Sequence, residues 1–411
     1  MTAFTRRTAL KTAAAASLFA MPGIHPAAAQ SRLDTGPVRI GVLTDMSSWG
    51  RDNGGPGSVY AAKAAVREVG GEVAGRKIEV LVGDHQMVPD IGLGIARRWF
   101  DQEGVHAITD LENSAIALGV GELAKQNDRI ALMTGPGSSE ITNSRCNDRT
   151  AQFTYDSYAL GKVMARAVTA QGAKTWFFIT ADYAYGKQLQ ADTTTFVQQA
   201  GGKVLGSVAH PSGTMDFSSL LLQAQGSGAE VIAFANTGTD CTNCLKQAAE
   251  FGLSRGGTRI AGLSMFLTDI HAAGLQVAQG AYMTVSDYWD MTPETVAWSQ
   301  GYLKEIGMMP TMLQTGAYGA VRHYLKAVKA AGTTNSSAIM EKMRELPVTD
   351  MFTKGAVLRK DGRVVRDMYL ARVKAPSESK KPWDYLEIVQ TVRGDDAYRP
   401  LSDSVCPLVK A

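Results

Sequence analysis

After residue 29 no apolar run reaches the ~20 residues that a membrane-spanning helix needs, so nothing there reads as a helical span. Cysteine is scarce: four residues in 411, too few for a disulfide-built scaffold. A charge excess is missing as well. Arg6, Arg7 and Lys11 account for the whole formal charge of +3, and beyond them basic and acidic residues cancel. A balanced chain has no bulk electrostatic footprint for nucleic acid or an anionic membrane.

The usual catalytic signatures are also absent. No G-x-S-x-G elbow occurs, since Gly135-Pro136-Gly137-Ser138-Ser139 has the wrong order. Neither a Walker A loop nor a G-x-G-x-x-G follows a strand-like run, and the six histidines are scattered without an H-x-x-x-H pair. No cofactor and no metal is therefore expected. Cys241-Thr242-Asn243-Cys244 has redox spacing but lacks both thioredoxin-like neighbours and a second C-x-x-C for zinc. It reads as a local disulfide or as two helix-start thiols. Cys146 and Cys406, far apart in sequence, are able to pair in an oxidising compartment. Asp84-His85, at a strand end, is the best remaining candidate for chemistry. An exported hydrolase or lyase built on it would need a nucleophile that the sequence does not offer.

What is present begins with an address. Residues 1–29 join Arg6-Arg7 and Lys11, the apolar run Thr12 to Met21, and Ala27-Ala28-Ala29. A charged start, a short apolar stretch and a small-residue cleavage site make a signal peptide of the twin-arginine type. A mature, periplasmic chain starting near Gln30 is expected.

Apolar strand-like runs then alternate with amphipathic helices. Strands are expected at Val38–Leu43, Lys77–Val82, Val105–Thr109 and Ile130–Thr134, with helices at Gly57–Val69, Pro89–Phe100 and Ala115–Lys125 between them. The rhythm restarts with a helix at Tyr158–Thr169. Strands follow at Thr175–Thr180, Val204–Ala209, Val231–Ala235 and Thr258–Gly262, interleaved with helices at Gln188–Ala200, Phe217–Gln225 and Leu245–Phe251. Beyond Ala281 come one strand, three helices and closing strands around Tyr369 and Ile388. This β-α-β order implies α/β lobes with doubly wound parallel sheets. The last part is too strand-poor to stand alone, so the chain crosses between two lobes more than once, as a hinge does.

Small polar loops sit at the carboxyl ends of these strands, where open sheets bind ligands. They are Asp45–Trp49, Glu112–Ser114, Gly135–Ser139, Asp182–Gly186, Asn236–Gly238, Leu263–Met265 and Asp287–Trp289. Each alone is ordinary turn and cap chemistry. Together they point to one shared cleft. Hydroxyls and backbone N–H groups near Asn113-Ser114 and Gly137-Ser138 suit an anion without any cationic side chain. Trp49, Tyr185, Tyr288 and Trp289 offer aromatic walls.

The order of signal, strand, Gly-Pro-Gly-Ser helix, Glu68–Gly75 and a strand ending Gly83-Asp84 resembles type I periplasmic solute-binding proteins, in the Leu/Ile/Val-binding receptor branch of ABC importers. Leu132–Thr142, Thr180–Gly186, Asp216-Phe217-Ser218, Lys246-Gln247-Ala248 and Ala330–Thr333 extend the resemblance over nearly the whole chain after the signal. It implies two Rossmann-like lobes joined by a three-crossing hinge. Lobe 1 would comprise residues 37–155 and 286–365, and lobe 2 residues 156–285 and 366–411. It further implies a monomer that closes on a small molecule and docks on an inner-membrane permease, or, in a sensor co-receptor of the same fold, on a membrane kinase.

Carried onto this sequence, the resemblance gives ligand-binding candidates Trp49, Asn113, Ser114, Gly137, Ser138, Tyr155, Tyr185, Thr237, Ser264 and Tyr288. One departure bears on the ligand. The family's acid for an amino acid's ammonium group follows the strand ending at Gly262, where this chain reads Leu263-Ser264-Met265-Phe266. A buried ammonium without a carboxylate costs several kcal/mol. The expected ligand is therefore an aromatic or hydrophobic carboxylate, with a branched-chain amino acid as the alternative and Asp287 as its potential counter-charge.

Overall fold

A computed structural model describes residues 36–410, and the export signal expected at 1–29 lies outside them. The first sheet contains β1 (Val38–Thr44), β2 (Glu72–Val73), β3 (Arg76–Asp84), β4 (Ala107–Asp110), β5 (Ile130–Met133) and β6 (Thr150–Gln152), in the spatial order β2-β3-β1-β4-β5-β6. All its pairings are parallel except the β2–β3 hairpin. Central strands β1, β4 and β5 are almost wholly buried, as both-face coverage by helices requires. Those helices include α1 (Gly55–Glu68), α2 (Pro89–Asp101) and α3 (Ser114–Gln126). Helix α1 begins two residues earlier than expected because Pro56, which needs no N–H partner, sits in its first turn.

The second sheet follows α4 (Ser157–Ala170). Its strands and helices run β7 (Thr175–Ala181), α5 (Ala184–Gln199), β8 (Lys203–His210), α6 (Ser218–Gly226), β9 (Val231–Ala235), α7 (Thr239–Glu250), β10 (Arg259–Gly262), α8 (Leu267–Ala273), α9 (Leu275–Ala278) and β11 (Tyr282–Val285). Then come α10 (Pro293–Ile306), α11 (Met312–Ala331), α12 (Ser336–Glu345) and the small ladder β12 (Val357–Leu358) with β13 (Val364–Val365). Strands β14 (Met368–Val373) and β15 (Leu386–Val392) complete the second sheet in the order β15-β14-β11-β10-β9-β7-β8.

Helix α11 packs its Ala317, Ala320 and Val321 face into the core of the first sheet, beside Ala61, Ala62 and Ala65 of α1. The chain thus passes between the sheets after β6, after β11 and between β13 and β14. Two buried ion pairs tie these passages together. Arg363 lies 3.4 Å from Asp156, and Arg366 lies 3.0 Å from Asp287, with all four side chains nearly inaccessible.

Cys146 and Cys406 are joined in a disulfide. The final residues return to the loop after β5, where Val405 donates its N–H to Asn143 Oδ1 at 2.8 Å. Helix α7 starts six residues earlier than expected. Cys241 and Cys244 therefore lie one turn apart on its buried face as free thiols, their pKa values pushed up by burial. Among the described residues no helix is long and apolar enough to cross a membrane.

Candidate functional site

The loops at the carboxyl ends of the strands of both sheets converge on a cavity of about 230 Å³. The first sheet supplies Trp49 and Asn53 after β1, Met87 and Pro89 after β3, Glu112 to Ala115 after β4, and Gly135 and Gly137 after β5. The first passage supplies Tyr155. The second sheet supplies Tyr183, Ala184 and Tyr185 after β7, Thr237 after β9, and Ser264 and Phe266 after β10. Leu313, at the start of α11, completes the lining.

Hydrogen bonds fix the polar groups of this wall. Asn113 caps α3, its Oδ1 accepting the Ala115 and Ile116 N–H groups at 2.9 and 3.2 Å. The Ser114 hydroxyl stands in the first turn of the same helix, where the macrodipole favours negative charge. Tyr155 Oη donates to Gly135 O at 2.8 Å, and Tyr185 Oη donates to Ser264 Oγ at 3.1 Å. Burial raises the pKa of both phenols, so both remain neutral donors. The Tyr155 and Phe266 rings meet edge to face with centroids 6.0 Å apart.

The two sides touch. Thr268 Oγ1 donates to Asn53 Oδ1 at 2.6 Å, and Ser139 Oγ donates to Asp192 Oδ2 at 3.0 Å. Gly137 lies so close to the Tyr185 ring that a Cβ there would run into it. The two sheets of the described residues therefore meet across the cavity.

The cleft wall also holds an acidic cluster. Asp110 and Leu111, neither of them glycine, both adopt left-handed backbone angles (φ 78° and 66°), a strained turn of the kind that clusters at functional sites. This turn sends Asp110 into the protein and Glu112 to the cavity. Gly54 leaves room for both: a Cβ there would sit 2.8 Å from Glu112 Oε1 and 2.9 Å from Asp110 Oδ2. Neither Asp110 oxygen makes a hydrogen bond of ordinary geometry. Burial pushes the Asp110 pKa up to about 6, with the Thr44 and Ser58 hydroxyls opposing and Asp45 adding to the rise. Burial, then Asp110, hold Glu112 well above the usual carboxylate range. Among the described residues no Lys, Arg or His side chain lines the cavity.

Of the residues expected from sequence, Trp49, Asn113, Ser114, Gly137, Tyr155, Tyr185, Thr237 and Ser264 line this cavity. Ser138 and Tyr288 do not. Ser138 Oγ turns back to accept the Glu140 N–H at 3.3 Å. Tyr288 Oη and Trp289 Nε1 both donate to Trp383 O, at 2.7 and 3.0 Å, in a separate aromatic packing. Asp287 is not a free counter-charge, being bound to Arg366 and to Thr315 Oγ1. Asp84 and His85 serve their own loop. Asp84 accepts from Met46 N, Ser47 Oγ and Gln86 N, and His85 Nδ1 accepts from Met87 N. Burial lowers the His85 pKa to about 4, so its ring is neutral. Among the described residues no group of three or more His, Cys, Asp or Glu side chains is arranged to hold a metal. Sequence reasoning named the loop containing Glu112 but not Glu112 itself.

Two mixed sheets with parallel central strands, closing on an aromatic, hydroxyl-lined cavity, define a solute receptor that grips its ligand between lobes. The chain belongs to the periplasmic binding protein family, whose model matches residues 37–381. It is an extracytoplasmic solute-binding component of an ABC transporter, in a family whose members bind small ligands and partner with permeases. A solved periplasmic binding protein from Burkholderia mallei is similar at 42% identity and TM-score 0.87, covering 90% of this chain and 99% of that one. A branched chain amino acid ABC transporter periplasmic ligand-binding protein from Burkholderia xenovorans shares 40% identity at TM-score 0.83, covering 90% and 100%. A Leu/Ile/Val-binding protein homolog from Brucella melitensis is 21% identical over 71% of this chain and 80% of its own length.

Proposed function

We propose that this receptor binds a small aromatic or hydrophobic carboxylate and delivers it by closing its lobes. The observation that carries this reading is the cavity lining: tyrosine, tryptophan and phenylalanine walls, hydroxyls at a helix start, and no basic side chain. Its volume of about 230 Å³ is below the roughly 300–1,000 Å³ of pockets for drug-sized ligands. One ring or a short branched chain fits that size. The closed form is what a permease would recognise, and ligand populates it through its differential affinity for closed over open.

A second reading is an amino acid receptor. It is favoured by Glu112, an acid on the cavity wall that could face an ammonium group. Export through the twin-arginine route and a monomeric state complete the proposal.

A thermal-shift screen of the chain from Gln30 onward tests it, against benzoates, hydroxycinnamates, branched fatty acids and amino acids. Ligand at a hundredfold its Kd adds about 2.7 kcal/mol to the folded state. A midpoint shift with acids and none with leucine or valine is expected. A shift with the amino acids alone would overturn the carboxylate reading in favour of the second.

A further inference from the structure

Glu112 has a polar arrangement that ordinary turn chemistry does not require. Its Oε2 accepts the Asp45 N–H at 2.9 Å and lies 3.2 Å from the Thr44 hydroxyl. A backbone N–H can only donate, so Oε2 is the accepting oxygen. In a protonated Glu112 the hydrogen therefore sits on Oε1. That oxygen makes no hydrogen bond among the described residues, and it lies against Gly54, next to Asn53 on the cavity wall. An O–H at this part-buried position is open to an acceptor that enters the cavity.

The surroundings keep the proton in place. Asp45 and Asp110 face Glu112 from the loop after β1 and the end of β4. Tyr155 approaches Glu112 from the first passage and Tyr302, from α10, lies toward Asp110; both are neutral phenols. His85, after β3, is neutral too, while Asp84 beside it is held by its loop hydrogen bonds. Arg51, in the loop after β1, is half-exposed and pairs with Asp52 at 2.9 Å. No cation offsets the carboxyl cluster from inside the cavity.

We propose that Glu112 donates its Oε1 proton to the carboxylate of the ligand, so that this receptor binds an organic anion and a proton together. The assignment rests on the carboxylate reading above. The O–H···O⁻ bond is of the charge-assisted kind, short and about twice as strong as a neutral one. The bound anion holds the proton more tightly than the empty cavity does. When Glu112 is ionised in the free protein, the missing proton is drawn from solvent on binding. Affinity is then level at acid pH and falls as pH rises past the titration of the free protein, by up to about tenfold per pH unit. An ammonium ligand would do the opposite: it would release a proton and gain affinity with rising pH.

The test is isothermal titration calorimetry of the chain from Gln30 onward with benzoate, 4-hydroxycinnamate, isovalerate and leucine, between pH 5.5 and 9. Paired buffers of different ionisation enthalpy report the protons exchanged. Uptake that rises with pH toward one proton per bound acid is expected. Glu112→Gln presents an amide N–H that does not titrate, so its pH profile should be flat. Glu112→Met, checked for folding by its melting midpoint, should bind more weakly than the wild type at acid pH, with a flat pH profile. Acids that bind without proton uptake at any pH, or a Glu112→Gln variant that keeps the wild-type slope, would overturn the proposal and leave the carboxylate reading standing. Proton release on binding leucine would overturn it in favour of an ammonium partner. Failure of all three acids to bind at any pH would remove the carboxylate reading and the proposal with it.

Discussion

The hinge and the cleft wall both bury carboxyl groups, but they treat them differently. At the hinge, Asp156 faces Arg363 and Asp287 faces Arg366, with backbone carbonyls of Thr154, Ser286 and Phe352 filling further donor positions of the two guanidinium groups. At the wall, Asp110 and Glu112 face each other and Asp45, with no cation against them. A buried ion pair braced by backbone carbonyls fixes geometry. A buried acid without one gives up its charge instead, by raising its pKa. The hinge charges therefore hold passages of the chain in register, whereas the wall acids are poised to respond to what enters the cavity.

Breaking a hinge pair should have the largest effect. Asp287→Ala strands Arg366 in the interior and is expected to cost about 3–5 kcal/mol in urea unfolding. Asp110→Asn, which strands nothing, should cost far less at neutral pH. Equal losses from the two would erase the distinction.

The pH dependence sharpens the contrast. Asp110 titrates higher in the folded protein (about 6) than in the unfolded chain (3.8). Its contribution is fully present below about pH 4 and is lost as pH rises through about 6, at most about 3 kcal/mol. Unfolding free energies at pH 4, 5, 6 and 7 should therefore show a smaller decline in Asp110→Asn than in the wild type.

Smaller effects belong to closure. Gly137→Ala sets a methyl group against the Tyr185 ring and should oppose the closed arrangement by about 1–3 kcal/mol. Calorimetry should then show a Kd raised about 5- to 150-fold, and small-angle scattering with ligand should give a larger radius than the wild type. Unaltered affinity would mean that the ring moves aside freely. Tyr185→Phe removes only the hydrogen bond to Ser264, worth about 1 kcal/mol, and should weaken ligand binding several-fold.

The sequence already showed most of the frame, because parallel strands buried on both faces are nearly continuous apolar runs. Val231–Ala235 was bounded correctly for that reason. Strand β6 escaped because three residues, Thr150 to Gln152, carry no readable period. Helices α8 and α9 escaped as well, being one or two turns each. In the cleft, loops at strand ends were legible by position, which is how Trp49, Ser114 and Ser264 were found, whereas Tyr155 came only with the family resemblance. Tyr288 was misplaced because its partner, Trp383 O, lies 95 residues away and leaves no local trace. Glu112 was overlooked because an acid in a loop reads as surface. Only the left-handed turn at Asp110 and Leu111, with room at Gly54, brings it to the cavity.

The disulfide between Cys146 and Cys406 spans 260 positions, and all three passages between the sheets fall inside that span. A protease that cuts once in any of them would leave two pieces on one covalent thread. The nicked receptor would run as a single species without reductant and as two fragments with it. Outside the cytoplasm, where clipping is common and repair is not, a hinge exposed by opening can be severed without the lobes drifting apart.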